Sequence, residues 1–175
     1  MKAGLLLMAT LLVSSLAQAA DLTVNVGGKD STVQYRVLDR EISDKDRNTG
    51  SQSASVDCSL LYYSLLAKGD IAAAAKLATD SAATAEQWKQ YRERLGAADF
   101  QKEMAAYFTA KNRVIAEVAF ADEVMLLVKT PDYTAGQLYR QKDGKFFVVS
   151  GRPMSEASRV LGKVLNLYNE GKIKL

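Results

Sequence analysis

From Val56 to Lys111 the apolar residues recur at helical spacing, and on both sides of that block they alternate with polar ones. Strands and helices segregated in this way give an α+β chain rather than a repeating β-α-β one. The expected architecture is a set of helices packed on a curved antiparallel sheet, with an N-terminal β-hairpin and a C-terminal helix.

In residues 22–38, Leu22, Val24 and Val26 alternate, then Val33, Tyr35 and Val37, with Gly27-Gly28-Lys29-Asp30 between them. This spacing predicts a hairpin with one buried face. Residues 43–55, SDKDRNTGSQSAS, hold one apolar side chain, Ala54, and are expected to form a flexible loop ahead of a main body over 56–175. Asp57 is the expected N-cap of a first helix carrying Cys58, Leu61 and Leu65 beside Tyr62 and Leu66. Gly69 stops it, and Asp70 caps a short alanine-rich helix over 71–78. Thr84 and Gln87 have capping-box spacing, and Trp88, Tyr91 and Leu95 follow as an inner stripe. Phe100, Met104, Tyr107 and Phe108 mark a fourth helix. After Lys111 the period changes to two: Val114, Ala116, Val118 and Phe120 are expected on one strand face and Ile115, Glu117 and Ala119 on the other. A strand over 124–130, a loop over 131–136 and a hairpin turning at Lys142-Asp143-Gly144 complete a four-stranded meander. Pro153 and Ser155 open a last helix, which Gly171 ends.

The N-terminus reads as an export signal. Lys2 precedes an apolar run from Ala3 to Val13, and Ser14-Ser15 lead to Ala17-Gln18-Ala19, a small-x-small cleavage pattern. That run is short of the roughly 20 residues a spanning helix needs, so cleavage after Ala19 is expected, leaving a single domain over 20–175 in the periplasm or outside the cell. The only cysteine, Cys58, is far from the cleavage point, so no lipid anchor is expected. Nor can an internal disulfide form, and Cys58 is expected to be buried among leucines.

Composition removes several kinds of chemistry. There is no histidine, which rules out a Ser-His or Cys-His nucleophile, a histidine base and an imidazole zinc site. Loss of Lys2 takes the formal charge from +3 to +2, too little for a polyanion-binding surface. Lys89, Arg92 and Arg94 lie near Trp88 and Tyr91, but Glu86 and Glu93 dilute the charge, and no nucleic-acid partner is expected. Asp39, Glu41, Asp44 and Asp46 are interleaved with Arg40, Lys45 and Arg47 and lack the order of a calcium loop, so a solvated charge run is expected and no metal. Candidate pocket residues are Glu117, the one carboxylate within an apolar strand, Tyr139 and Arg140, which point to opposite sides of theirs, and Tyr62. No catalytic residue and no cofactor is expected.

Two stretches, LLYYSLLAKGDIAAAAKLATD and GQLYRQKDGKFFVVSG, resemble the nuclear transport factor two-like (cystatin-like cone) superfamily. The first resembles the paired opening helices, the second the closing hairpin with its tyrosine-arginine strand and Asp-Gly turn. The resemblance implies an exported bacterial member with a pocket between sheet and helices; the initial hairpin and final helix are additions. The Asp, Tyr or His constellations of that superfamily's enzymes do not map onto this chain. The expected function is therefore a non-enzymatic binding or interaction protein whose partner is a small apolar ligand or another envelope protein. An immunity or inhibitor protein acting on a toxin or enzyme in the same compartment is the alternative, and a small carboxylate/tyrosine enzyme comes after it.

Overall fold

The computed structural model describes residues 19–150 and 155–175. The expected leader, apart from Ala19, lies outside the described residues, as does Pro153.

The chain runs β1 (Ala20–Val26), β2 (Lys29–Ile42), a 3-10 turn at Asp44–Asp46, α1 (Ser55–Ala67), α2 (Ile71–Ala75), α3 (Ser81–Leu95), α4 (Ala97–Ala105), β3 (Asn112–Phe120), β4 (Glu123–Lys129), β5 (Thr134–Lys142), β6 (Lys145–Val148) and α5 (Glu156–Asn169). The strands form one six-stranded antiparallel sheet in sequence order. The fold is thus the expected α+β class, but the first hairpin is no appendage. Its second strand extends to Ile42 and pairs with β3 across the whole helical block. Gly27 and Gly28, at φ 60° and 86°, make the two-residue turn that matches the twist of β1 and β2.

Local chemistry moves several boundaries. The α3 cap is Asp80, whose side chain accepts from the Ala83 amide, while the Thr84 hydroxyl donates to the Asp80 carbonyl within the first turn. Asp57 is inside α1, not its cap. Thr134 and Ala135 pair with Lys129 and Val128, so β5 absorbs half of the expected loop.

The largest departure is in β3. From the level of Leu127 to that of Val128, β4 advances one residue; β3 goes from Ala116 to Val114, and β2 from Val37 to Arg40. Each strand outward carries one more residue, and bulges of this kind bend a sheet and re-aim its side chains. Val114 consequently packs in the cluster with Cys58 and Leu60 of α1, whereas Val118 packs with Val160 and Leu161 of α5. The expected common face of Val114, Ala116, Val118 and Phe120 is therefore split. Helices cover the sheet on both sides, and β4 is buried at Met125, Leu126, Leu127 and Val128 without alternation.

Residues 43–55 are not the flexible loop expected: Ser55 opens α1 and is buried, and residues 43–54 are stitched to the body. The Asn48 amide donates to Ser64 Oγ, Gln52 exchanges two bonds with the Phe146 backbone, and the Arg47 guanidinium lies 5.5 Å from the Phe108 ring centroid. The acidic run is balanced locally, with Asp39 on Arg113, Asp44 on Arg47 and Asp46 on Arg40.

Candidate functional site

α3 and α4 stand off the sheet, and the gap is filled only in part. Trp88 and Tyr91 of α3 lean on Phe100 of α4 with ring centroids 5.9 and 6.2 Å away, so the stripe read as inner is half-buried rather than sealed. A cleft of about 770 Å³ remains between this wall, α1 and the β4–β5 edge. It continues into a lobe of about 390 Å³ against Tyr62 and Tyr139, the two sharing Tyr63, Gln87, Trp88, Gly136 and Gln137.

Five aromatic rings, Tyr63, Trp88, Tyr91, Tyr107 and Tyr133, line it among polar and small side chains. Tyr63 of α1 stacks on Tyr107 at 4.0 Å and 11°, while Trp88 and Tyr91 meet edge to face at 5.9 Å. Tyr133 stands at the mouth, 64% exposed. It is held there because its amide donates to Thr130 Oγ1 and its carbonyl accepts from the Thr130 amide.

Gln137 is the polar anchor of the floor. Its Oε1 accepts from Ser59 Oγ at 2.9 Å and from the Tyr139 hydroxyl at 3.0 Å, which uses both carbonyl lone pairs. Its Nε2 donates to the Tyr63 hydroxyl at 3.3 Å, and the Tyr107 hydroxyl is 2.6 Å from Ser59 Oγ. Burial raises the Tyr63 and Tyr139 phenols well above their ordinary value and pushes Tyr107 up to about 12, so the tyrosines stay neutral near neutral pH. The floor is a set of fixed neutral dipoles, and the charges stand at the rim: Arg94, Glu103 and Asp132.

Of the four expected pocket residues, the structure brings two into this cleft. Tyr62, buried, accepts from Trp88 Nε1 at 2.5 Å, and Tyr139 lies beneath Gln137. Glu117 is turned by the bulge toward α1, where it accepts from Ser55 Oγ and pairs with Arg36 at 3.2 Å, away from the cleft. Arg140 points to the α5 side. Its Nη2 donates at 2.6 Å to Glu123, a wholly buried carboxylate that also accepts from Ser155 Oγ and Ser158 Oγ at the start of α5. Burial opposes that charge, but the two hydroxyls and the guanidinium outweigh it and hold the carboxyl below its ordinary range.

Sequence reasoning did not single out Gln137, Tyr63 or Tyr107 as site residues, and it began the strand of Glu123 one residue later, at 124. The available signal for Gln137 was its place two residues before Tyr139, on the same strand face. Cys58 is buried, with Sγ 3.2 Å from the Phe146 carbonyl, and burial pushes its thiol up to about 12. Among the described residues no group of acids and cysteine is placed to hold a metal, and no helix is long and apolar enough to cross a membrane.

No family model matches this chain, and neither a curated protein nor a solved structure does.

Proposed function

We propose that this chain is a non-enzymatic binding protein of the bacterial periplasm, whose cleft between α3, α4 and β5 takes a small amphipathic ligand. The observation that carries the reading is the cleft of about 770 Å³ lined by Tyr63, Trp88, Tyr91, Tyr107 and Tyr133 over a Gln137 floor. Cavities of this size with apolar walls and a few convergent polar groups are where small molecules bind. Its place between helices and sheet is where the resemblance to the cone superfamily implies a pocket. The export pattern of residues 1–19 supports the compartment.

Protonation supports binding without chemistry, as does the exposure of the cleft's two acids, Glu103 and Asp132, at its rim. Raised phenols are poor proton acceptors near neutral pH, and the deeply buried carboxylate, Glu123, sits on the other side of the sheet, ionised and fully donated to. Neither is poised to exchange a proton with a ligand in the cleft.

Trp88 is the only tryptophan of the chain and forms part of the wall, so its emission reports occupancy. A neutral amphipathic dye, N-phenyl-1-naphthylamine, is expected to quench Trp88 saturably with one site per chain. Ala106 is exposed and lines the cleft, so Ala106→Trp would plug it and abolish saturation followed by dye emission. Dye binding that is absent, or that Ala106→Trp leaves unchanged, would sink the reading.

A further inference from the structure

We infer that the ligand of this cleft is an organic cation, a quaternary or tertiary ammonium group carried on an apolar body; the inference rests on the binding role proposed above. Three independent features of the cleft converge on that chemistry.

The first is ring geometry. A cation gains most over aromatic faces, where the ring quadrupole is negative, and here a stacked pair, Tyr63 and Tyr107, lines the cleft together with an edge-to-face pair, Trp88 and Tyr91. Tyr133, exposed at the mouth, adds a ring on the β4–β5 side. A quaternary ammonium is weakly hydrated, offers no N–H donor to leave unpaired, and loses little on entering such walls, while a tertiary one has a single N–H to satisfy, within reach of the acids at the rim.

The second is charge. Among the charged lining residues two are acids, Glu103 and Asp132, and one is a base, Arg94. Glu103 accepts from the Tyr91 hydroxyl at 2.6 Å, which draws the phenol proton away from the ring and enriches its face in electron density.

The third is that the ring already holds a cation. The Arg94 guanidinium carbon lies 5.5 Å from the Tyr91 centroid, within the range of cation–π attraction. Arg94 is exposed and free of a carboxylate partner among the described ion pairs, so its side chain can give way to a ligand cation at that face.

The test compares choline with its uncharged carbon isostere, 3,3-dimethylbutan-1-ol, by calorimetry and by displacement of N-phenyl-1-naphthylamine from the full chain. Choline is expected to bind at least about tenfold more tightly, the scale of a partly desolvated cation–π contact. Arg94→Ala, which removes the resident cation, is expected to tighten choline binding severalfold. The double variant Glu103→Gln/Asp132→Asn is expected to erase most of the preference, weakening choline far more than the isostere. Both acids are exposed, so neither change threatens folding. Equal binding of the two probes, tighter binding of the isostere, or no binding of either overturns the cation inference. In each case saturable uptake of the dye leaves the binding role standing, and loss of dye uptake as well removes both.

Discussion

Glu123 shows how one side chain can be misread by position and matter by environment. It opens β4 after a tight turn, where a carboxylate ordinarily faces water, yet it is wholly buried and receives Arg140 at 2.6 Å, Ser158 at 2.6 Å and Ser155 at 2.8 Å. Ser155 is also the N-cap of α5, accepting from the Ser158 amide, so the acid sits where the helix end favours negative charge. Hydrogen bonds to a buried charge contribute more than neutral ones, and Glu123→Gln is expected to cost about 2–3 kcal/mol at neutral pH. The pH dependence follows from the direction of the shift. Because the folded carboxyl lies below its ordinary value of 4.5, the unfolded chain takes up the proton first as acid is added. The stabilisation is therefore complete above that value and lost as pH falls from it toward the folded pKa. Asp46 adds to the same acid limb: burial opposes its charge, but the Ser43 amide and Arg40 hold it low. Urea denaturation between pH 3 and 7 should show the variant and the parent converging as pH falls, since Glu123→Gln removes only its own share. A constant gap between the two curves would contradict this account.

At the scale of elements, most of the secondary structure was legible because it rests on local signals. Asp70 caps α2, Ser155 caps α5, and Asp143-Gly144 turns β5 into β6 at φ 51° and 72°. What was not legible depends on partners distant in sequence. Nothing local in residues 112–116 announces a bulge; it exists because β2 and β4 pair with β3 at different levels. The strap over 43–54 was equally opaque, since composition measures whether a segment can build a core, not whether its backbone is bonded to one. Gly50 marks its tightest approach to α1. At φ 102°, a Cβ there would come within 2.8 Å of the Leu61 amide nitrogen and closer still to the Asp57 carbonyl. Gly50→Ala combines backbone strain with a clash against main chain that cannot yield, a cost of about 2–3 kcal/mol. Limited trypsin digestion should expose the consequence. The parent strap resists cleavage at Lys45 and Arg47, while the variant is cut there before the rest of the chain unfolds. A variant as resistant as the parent would mean that the strap is not held by that contact.

The whole molecule is organised by a sheet that serves two cores at once. β4 gives Leu126 and Val128 to the cluster under α1, and Met125 and Leu127 to the cluster under α5, while β3 divides Val114 and Val118 in the same way. The aromatic cleft follows from this division. The α1 side must cover β3 to β6 with four helices of unequal length, and α3 and α4 complete the cover at a distance, touching one another through Trp88, Tyr91 and Phe100 rather than closing on the strands. Trp88, Tyr91 and Tyr107 were visible in the sequence as stripe aromatics, whereas Tyr63 and Tyr133 were not; nor was the gap between them, because a void is a property of packing and leaves no pattern of its own. Since neighbouring residues of a single strand belong to different cores, neither core can melt while the other stays intact, and unfolding should be cooperative throughout. Leu161 of α5 is wholly buried in the second cluster and lies on the opposite side of the sheet from Trp88. Leu161→Ala should cost roughly 2–5 kcal/mol through the cavity it opens. Coupling through β3 and β4 requires that the Trp88 emission transition and the far-ultraviolet circular dichroism transition move to lower urea together, by the same amount. If the dichroism transition shifted while Trp88 kept the parent midpoint, the two sides would unfold separately, and the sheet would be a partition between two units rather than the common spine of one.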